Sequence, residues 1–187
     1  MQMRKHTPRH IPKYNVTYRP LTIGDLDDTD NFIIEGDVFR HQRDYVYIMA
    51  LFDSINKETV DLQIKCPECG ELIKFVLNRH HIMVDEYEEK LYGNEIKISV
   101  EPRRTGKEEL PELIKFVVID GEQILWDDCK ESEKEAVLDS IDYPVFKSIN
   151  SALDKPAIVA NIPVRCSCGY EHIVALRGLE AFLKVVG

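Results

Sequence analysis

Two stretches of the chain share one plan: DLQIKCPECGELIKFVLN at 61–78 and IPVRCSCGYEHIVAL at 162–176. In each, apolar runs lie on both sides of two cysteines and a glycine. Before the first pair, Val60, Leu62 and Ile64 alternate with polar residues, and alternation with a period of two predicts a β-strand. We therefore expect two β-hairpins, over 60–77 and 158–176, with a cysteine pair at the tip of each.

The two cysteine pairs have the residue types and spacing of a metal site. Zinc prefers four ligands in a tetrahedron, and two chelating pairs of thiolates supply them. Cys66 and Cys69 form a complete C-x-x-C-G knuckle, whose turn directs both sulfurs to one point. Cys166 and Cys168 keep the following glycine but are one residue closer together. The sequence predicts a four-cysteine zinc site made of these residues.

The short second pair leaves two other arrangements open. In one, His172 replaces a weakly placed cysteine as the fourth ligand. In the other, the metal has been lost and the two hairpins pack through small side chains.

A zinc ion in this site would be structural, because four thiolates leave no coordination position for a water molecule. Redox catalysis is disfavoured, since a reactive C-x-x-C thiol needs a helix N-terminus and both pairs here lie between strands. The fifth cysteine, Cys129, follows Asp127 and Asp128, which disfavour a thiolate. We interpret it as a partly buried, unreactive thiol.

Composition narrows the class of protein. The chain has 187 residues, with 24 basic and 33 acidic side chains and a net charge of −9. With 44% apolar and 30% charged residues it is typical of a folded globular protein. No apolar run reaches the ~18–20 residues of a membrane span, and we expect neither a transmembrane segment nor a secretory signal. The acidity argues against a protein that coats nucleic acid.

The remaining patterns predict an α+β fold in which the β-hairpins carry a split zinc-ribbon-like cysteine site and pack with several helices. Residues 1–13 are predicted to form a flexible or partner-bound arm, and 14–187 a single domain. The other predicted elements are a strand from Tyr14 to Tyr18, a helix within 38–55, a strand over 95–101 and a hairpin turning at Asp120-Gly121. They also include a helix that starts with a capping box at Ser132, a second helix that restarts at Asp142-Tyr143-Pro144, and a last helix over 178–186.

Other candidate sites are weaker. The acidic cluster Asp25, Asp27, Asp28 and Asp30 lacks the glycine and glutamate positions of a calcium loop, so acidic residues at a helix N-terminus are the better interpretation. His80-His81, near two acidic residues, is interpreted as a solvated loop. The sequence contains no phosphate loop, nucleophile elbow or zinc-protease helix, and no catalytic residue is assigned.

Three segments together resemble a known family. They are NVTYRPLTIGDLD near the start, the first cysteine hairpin, and a C-terminal block that runs from SEKEAVLDSIDYPVFKSINSAL to the second hairpin and LRGLEAFL. In this order and spacing they look like the small baseplate-hub assembly proteins of contractile-tailed bacteriophages (myoviruses). The four paired cysteines fall on the paired cysteines of that family. Leu176, Gly178, Leu179 and Phe182 fall on its closing signature.

The resemblance implies a non-enzymatic virion or assembly protein of the central baseplate hub. It implies contacts with other hub and tail proteins, a location in the tail baseplate and assembly in the host cytoplasm, and it leaves open an oligomer of the chain itself. The alternative is a cellular zinc-ribbon module that binds nucleic acid or a polymerase. That alternative needs a basic face near the knuckles, where Arg165, Lys65 and Lys74 are opposed by Glu68, Glu71 and Glu171.

Overall fold

A computed structural model describes residues 7–26 and 31–186 of the chain. The helices are α1 (Arg40–Ser54), α2 (Leu110–Leu113), α3 (Glu131–Asp139), α4 (Tyr143–Asp154) and α5 (Leu179–Val186). The strands are β1 (Arg9–Ile11), β2 (Val16–Tyr18), β3 (Ile33–Glu35), β4 (Thr59–Lys65), β5 (Leu72–Asn78), β6 (Met83–Asp85), β7 (Leu91–Tyr92), β8 (Ile96–Val100), β9 (Ile114–Ile119), β10 (Glu122–Leu125), β11 (Ala157–Arg165) and β12 (Glu171–Arg177). Neighbouring strands within this part of the chain are antiparallel, which confirms a mixed helix and antiparallel-sheet fold.

The chain divides into two compact units. Unit 1 contains the residues up to Asp85 and those from Ala157 onward, and unit 2 contains residues 86–156 between them. The single α+β domain predicted for 14–187 stays a prediction.

Unit 1 carries both predicted cysteine hairpins. Its sheets are β1-β2-β3, β12-β11-β6 and the hairpin β4-β5. Helix α1 repeats apolar residues at threes and fours, so one face packs into the core with α5. Phe32, Phe52 and Phe182 are fully buried there. The observed hairpins coincide with the predicted ranges 60–77 and 158–176 to within a residue at each end.

Unit 2 is a four-stranded sheet, β10-β9-β8-β7, with helices α3 and α4. Its core includes Val117 and Ile149, both fully buried. The predicted turn at Asp120-Gly121 is present, with φ angles of 52° and 86°. Helix α4 begins at Tyr143, where the sequence predicts a second helix, and the carboxylate of Asp142 caps it by accepting a hydrogen bond of 2.8 Å from the N–H of Val145.

The predicted cap of α3 is wrong by two residues. The helix begins at Glu131, after Lys130, whose N–H donates to the Glu133 carboxylate at 2.8 Å. Glutamates at 131, 133 and 135 could each occupy the first turn of a helix. Of the two that could close a capping box, Glu133 rather than Glu135 does so, by accepting from the N–H of Lys130. Ala136, expected to point inward, is exposed, while Val137 is buried as predicted.

Part of the predicted arm is ordered against unit 1. β1 pairs with β2, from Arg9 opposite Tyr18 to Ile11 opposite Val16. Arg9 also contacts the Asp53 carboxylate at 3.3 Å. The sequence pattern missed this strand because three residues are too few for a periodic signal. Residues 1–6 of the arm lie outside the described residues.

Asp25 forms a buried ion pair. Its two carboxylate oxygens accept hydrogen bonds of 2.7 and 2.8 Å from the Arg19 guanidinium, and it also accepts from the N–H and hydroxyl of Thr22. The hydrogen bonds from Arg19 hold the pKa of Asp25 well below its usual range. The other three acidic residues of the predicted cluster lie outside the described residues.

This pKa shift predicts a pH-dependent loss of stability. A carboxylate whose pKa is lowered by folding stabilises the protein above its unfolded pKa of about 3.9 and loses that contribution as the pH falls. We expect Asp25→Asn to lower the free energy of unfolding at pH 7 by about 1.5–3 kcal/mol. The difference from the unsubstituted chain should shrink steadily below pH ~4. Urea titrations at pH 7, 4 and 2 measure it, and an equal difference at all three pH values would contradict the prediction.

Among the described residues, the helices are too short or too polar to cross a membrane.

Candidate metal centre

The tips of the two cysteine hairpins meet within unit 1. The β4–β5 ladder ends at the pair Lys65–Leu72, and the β11–β12 ladder ends at Arg165–Glu171. The connecting residues, 66–71 and 166–170, carry the four cysteines predicted as ligands. Each hairpin therefore holds its cysteine pair at the end of a rigid ladder.

The first turn is closed by backbone hydrogen bonds. The N–H of Cys66 donates to the carbonyl of Glu71 at 2.8 Å, and the N–H of Gly70 donates to the carbonyl of Cys66 at 2.9 Å. Gly70 has a φ of 76°, a left-handed conformation that strongly favours glycine. The glycine after the second cysteine is thus what lets the chain turn back into β5.

The second turn closes in the same way with one residue fewer. The N–H of Cys166 donates to the carbonyl of Tyr170, and the N–H of Gly169 donates to the carbonyl of Cys166, both at 2.9 Å. Gly169 has a φ of 92°. The shorter spacing tightens the hydrogen-bonded turn.

The four sulfur atoms converge on one point. The Sγ atoms of Cys66 and Cys168 are 3.8 Å apart, those of Cys69 and Cys166 are 3.5 Å apart, and all four lie within 4.8 Å of one another. Four sulfurs arranged tetrahedrally at the zinc–sulfur distance of ~2.3 Å are about 3.8 Å apart. The spacing is far longer than the ~2.05 Å of a disulfide. The donor set and its separations thus fit a tetrahedral thiolate-bound ion.

The protonation of the cluster also favours a cation. A hydrogen bond from the backbone N–H of Cys168, with further donation from neighbouring thiols, lowers the pKa of Cys166 to about 6. The N–H of Glu71 acts to lower the pKa of Cys69, but hydrogen bonding with the thiol of Cys166 and partial burial outweigh it and raise that pKa to about 12. One thiolate therefore forms readily, and it resists the ionisation of its neighbours. A divalent cation would remove that repulsion.

The cluster is half buried. Cys66 and Cys166 are 2% and 5% exposed and belong to the core of unit 1, whereas Cys69 and Cys168 are exposed. An ion bound here would therefore have two ligands in the core of unit 1 and two at its surface.

A further contact joins the two turns. The hydroxyl of Ser167 donates to the carboxylate of Glu71 in the opposite hairpin. Sequence analysis did not identify these two residues as a pair. The only available signal was the position of Ser167 between the cysteines, which does not reveal a partner about a hundred residues away.

The other predicted ligand candidates lie elsewhere. The ring of His172 stacks on Tyr170, with centroids 6.2 Å apart, and is not in the sulfur cluster. His80 and His81 are in a short 3-10 helix. Within 7–26 and 31–186, only the four cysteines bring three or more potential ligand side chains close enough to hold an ion.

Cys129 lies in the core of unit 2. Its thiol donates to the carbonyl of Leu125 at 3.5 Å. Burial, with the nearby carboxylate of Glu133, raises its pKa. This environment suppresses thiolate chemistry.

Comparison with known proteins identifies one family whose sequence profile matches the chain. The sequence profile of the family described as T4 bacteriophage base plate protein matches residues 23–184, a range that includes both cysteine pairs and six of the eight residues of α5. No curated protein and no solved structure gives a significant match.

Proposed function

Because the chain belongs to the T4 bacteriophage base plate protein family, we propose that it is a structural component or assembly factor of the central hub of the tail baseplate. It acts without catalysis, through contacts with other hub and tail proteins. It is assembled in the host cytoplasm and belongs to the contractile tail of the virion. The family match over residues 23–184, which extends through both units, is the observation that carries this proposal.

Zinc is the proposed cofactor, held by Cys66, Cys69, Cys166 and Cys168. The Sγ–Sγ distances of 3.5 and 3.8 Å support it, because they are close to the ~3.8 Å expected between the thiolates of a tetrahedral zinc site. The ion would supply folding free energy by clipping two hairpins that are about a hundred residues apart in the chain. The arrangement is that of a split zinc ribbon.

The same site supports a non-enzymatic role. Four thiolates complete the shell of the ion, so no position is left at which it could activate water or substrate. A hub protein needs a fixed shape more than a reactive group, and a closed metal site supplies rigidity.

Contacts near the cysteines support a protein partner over nucleic acid. Arg165, a cation that a nucleic-acid site could use, pairs with Glu171 at 3.7 Å. Glu68 and Glu71 are exposed beside the first pair. Phosphate groups would meet carboxylates there, which is unfavourable.

Deletion of the gene tests the proposed role. Cells infected with phage that lacks it should yield few infectious particles and tails without complete baseplates, as seen by electron microscopy. Supplying the chain from a plasmid should restore particles, and so should its Cys129→Ser variant, whereas Cys66→Ser should not. Normal baseplates in the absence of the gene would refute the proposed role.

A further inference from the structure

The edge strand β10 is exposed along its full length. It pairs on one side with β9, and each of its four residues is exposed. In a two-residue turn of this kind, the flanking pair Ile119–Glu122 exchanges both backbone hydrogen bonds, and bonded pairs alternate from there. Gln123 is therefore a non-bonded position, and its N–H and C=O point away from β9. They form a free backbone edge.

Apolar side chains lie on both faces of this edge. Ile124 is 36% exposed and Leu125 is 54% exposed, and neighbouring residues of a strand point to opposite faces. Edges that avoid pairing are usually protected by a short length, charged side chains, proline or a bulge. β10 has four residues, no proline and a regular ladder to β9, and its one charged side chain is the exposed Glu122. This edge therefore repels an acidic neighbour but not a basic one.

The charge around β10 favours a basic binding partner. Between Lys115 and Lys130 the chain has four acidic residues and no basic one. These acidic residues are all exposed: Asp120, Glu122, Asp127 and Asp128. Residues 86–156 hold 18 acidic against 10 basic side chains, a net charge of −8, and the rest of the chain holds 15 against 14, a net charge of −1. Almost all of the net charge of −9 therefore belongs to unit 2.

We propose that β10 is a docking strand, which binds an extended segment of another baseplate protein rich in lysine or arginine and apolar residues. The segment adds to the sheet next to β10 through the backbone of Gln123. Its apolar side chains cover Ile124 and Leu125, and its cations meet the surrounding carboxylates. This inference rests on the proposed baseplate role, which supplies the partner proteins.

A photo-crosslinking residue at position 123 identifies the occupant. The chain carrying p-benzoylphenylalanine in place of Gln123 is supplied to cells infected with the deletion phage, irradiated and analysed by mass spectrometry. We expect a crosslink to a basic, apolar segment of a different baseplate protein. The same residue placed at the exposed Glu135 of α3 is the matched control, and it should not crosslink to that segment.

Two substitutions separate strand addition from other contacts. Gln123→Pro removes the outward N–H, and proline is tolerated on an edge strand, so the ladder to β9 through Glu122 and Ile124 is kept. We expect Gln123→Pro to lower the yield of infectious particles by about two- to tenfold relative to Gln123→Ala, the range that one missing hydrogen bond produces in a binding constant. The melting temperatures of the two purified variants should agree.

Several results would overturn the proposal that β10 is a docking strand. They are a crosslink from position 123 to a second copy of the chain, to an acidic segment or to nucleic acid, and equal yields from the two variants. A chain that joins baseplate complexes without a crosslink from position 123 would overturn this inference alone. A chain that joins no baseplate complex would overturn the proposed function as well.

Discussion

Replacing Cys66 with serine is expected to remove the bound zinc and to unfold unit 1 or bring it close to unfolding. A structural zinc site supplies ~10–16 kcal/mol in small zinc-finger peptides, whereas a whole domain is stable by ~5–15 kcal/mol. Serine keeps the volume of the buried Cys66 side chain but offers no thiolate. We expect the zinc content to fall from about one ion per chain to background, and the free energy of unfolding to fall by about 5 kcal/mol or more.

Cys129→Ser is the matched control, because Cys129 is also buried but lies outside the sulfur cluster. It should keep its zinc and change the free energy of unfolding by about 1 kcal/mol or less, since the hydroxyl can still donate to Leu125. Elemental analysis of the purified chain and urea titrations measure both effects. Equal zinc content in the two variants would exclude the four-cysteine site.

The same titrations test whether 14–187 folds as a single domain. Trp126 is the only tryptophan, and it is buried in the core of unit 2. Its fluorescence therefore follows unit 2, while circular dichroism follows the whole chain. If the chain is one cooperative domain, removing zinc from unit 1 should shift both transitions together. A fluorescence transition that stays in place would show that the units unfold separately.

Arg79→Leu is expected to lower the free energy of unfolding by about 3–5 kcal/mol, because it leaves the buried Asp53 carboxylate with only the more exposed Arg9 as a cationic partner. Asp53 has a side chain 2% exposed, and its carboxylate accepts a hydrogen bond of 2.7 Å from Arg79 and one of 2.8 Å from the hydroxyl of Tyr18. Burial and the hydrogen bond to Asp53 raise the pKa of Tyr18, so the hydroxyl stays a donor. Without Arg79 the Asp53 carboxylate loses its closest cation.

A surface ion pair provides the comparison. Lys184 and Glu180 are 2.8 Å apart but largely exposed, so Lys184→Ala should cause no measurable loss. The double substitution Asp53→Asn with Arg79→Leu should regain part of the loss, because it removes the uncompensated charge. Urea titrations of the three variants at pH 7 decide this. A similar, small change in all three would show that the buried pair contributes no more than a surface pair.

Local signals in the sequence were sufficient for most elements near the metal centre. Alternation around Val60, Leu62 and Ile64 predicted β4, and the glycine after each cysteine pair predicted the turn, because both effects act over a few residues. The same kind of local signal, proline in a first turn, predicted the start of α4 at Asp142-Tyr143-Pro144. Local signals failed at α3, where several glutamates could each occupy the first turn and only hydrogen bonding to Lys130 decided between them.

The sequence by itself determined the two cysteine hairpins, the mixed helix and strand content, and the donor atoms of the candidate metal centre. These follow from periodicity and spacing, which a linear pattern records. Only the tertiary structure decided that Cys166 and Cys168 converge with Cys66 and Cys69 despite the missing residue, and that His172 does not. It also decided that 86–156 forms its own unit, to which almost all of the net charge of −9 belongs. Both depend on contacts between residues far apart in the chain, and local patterns carry no record of such contacts.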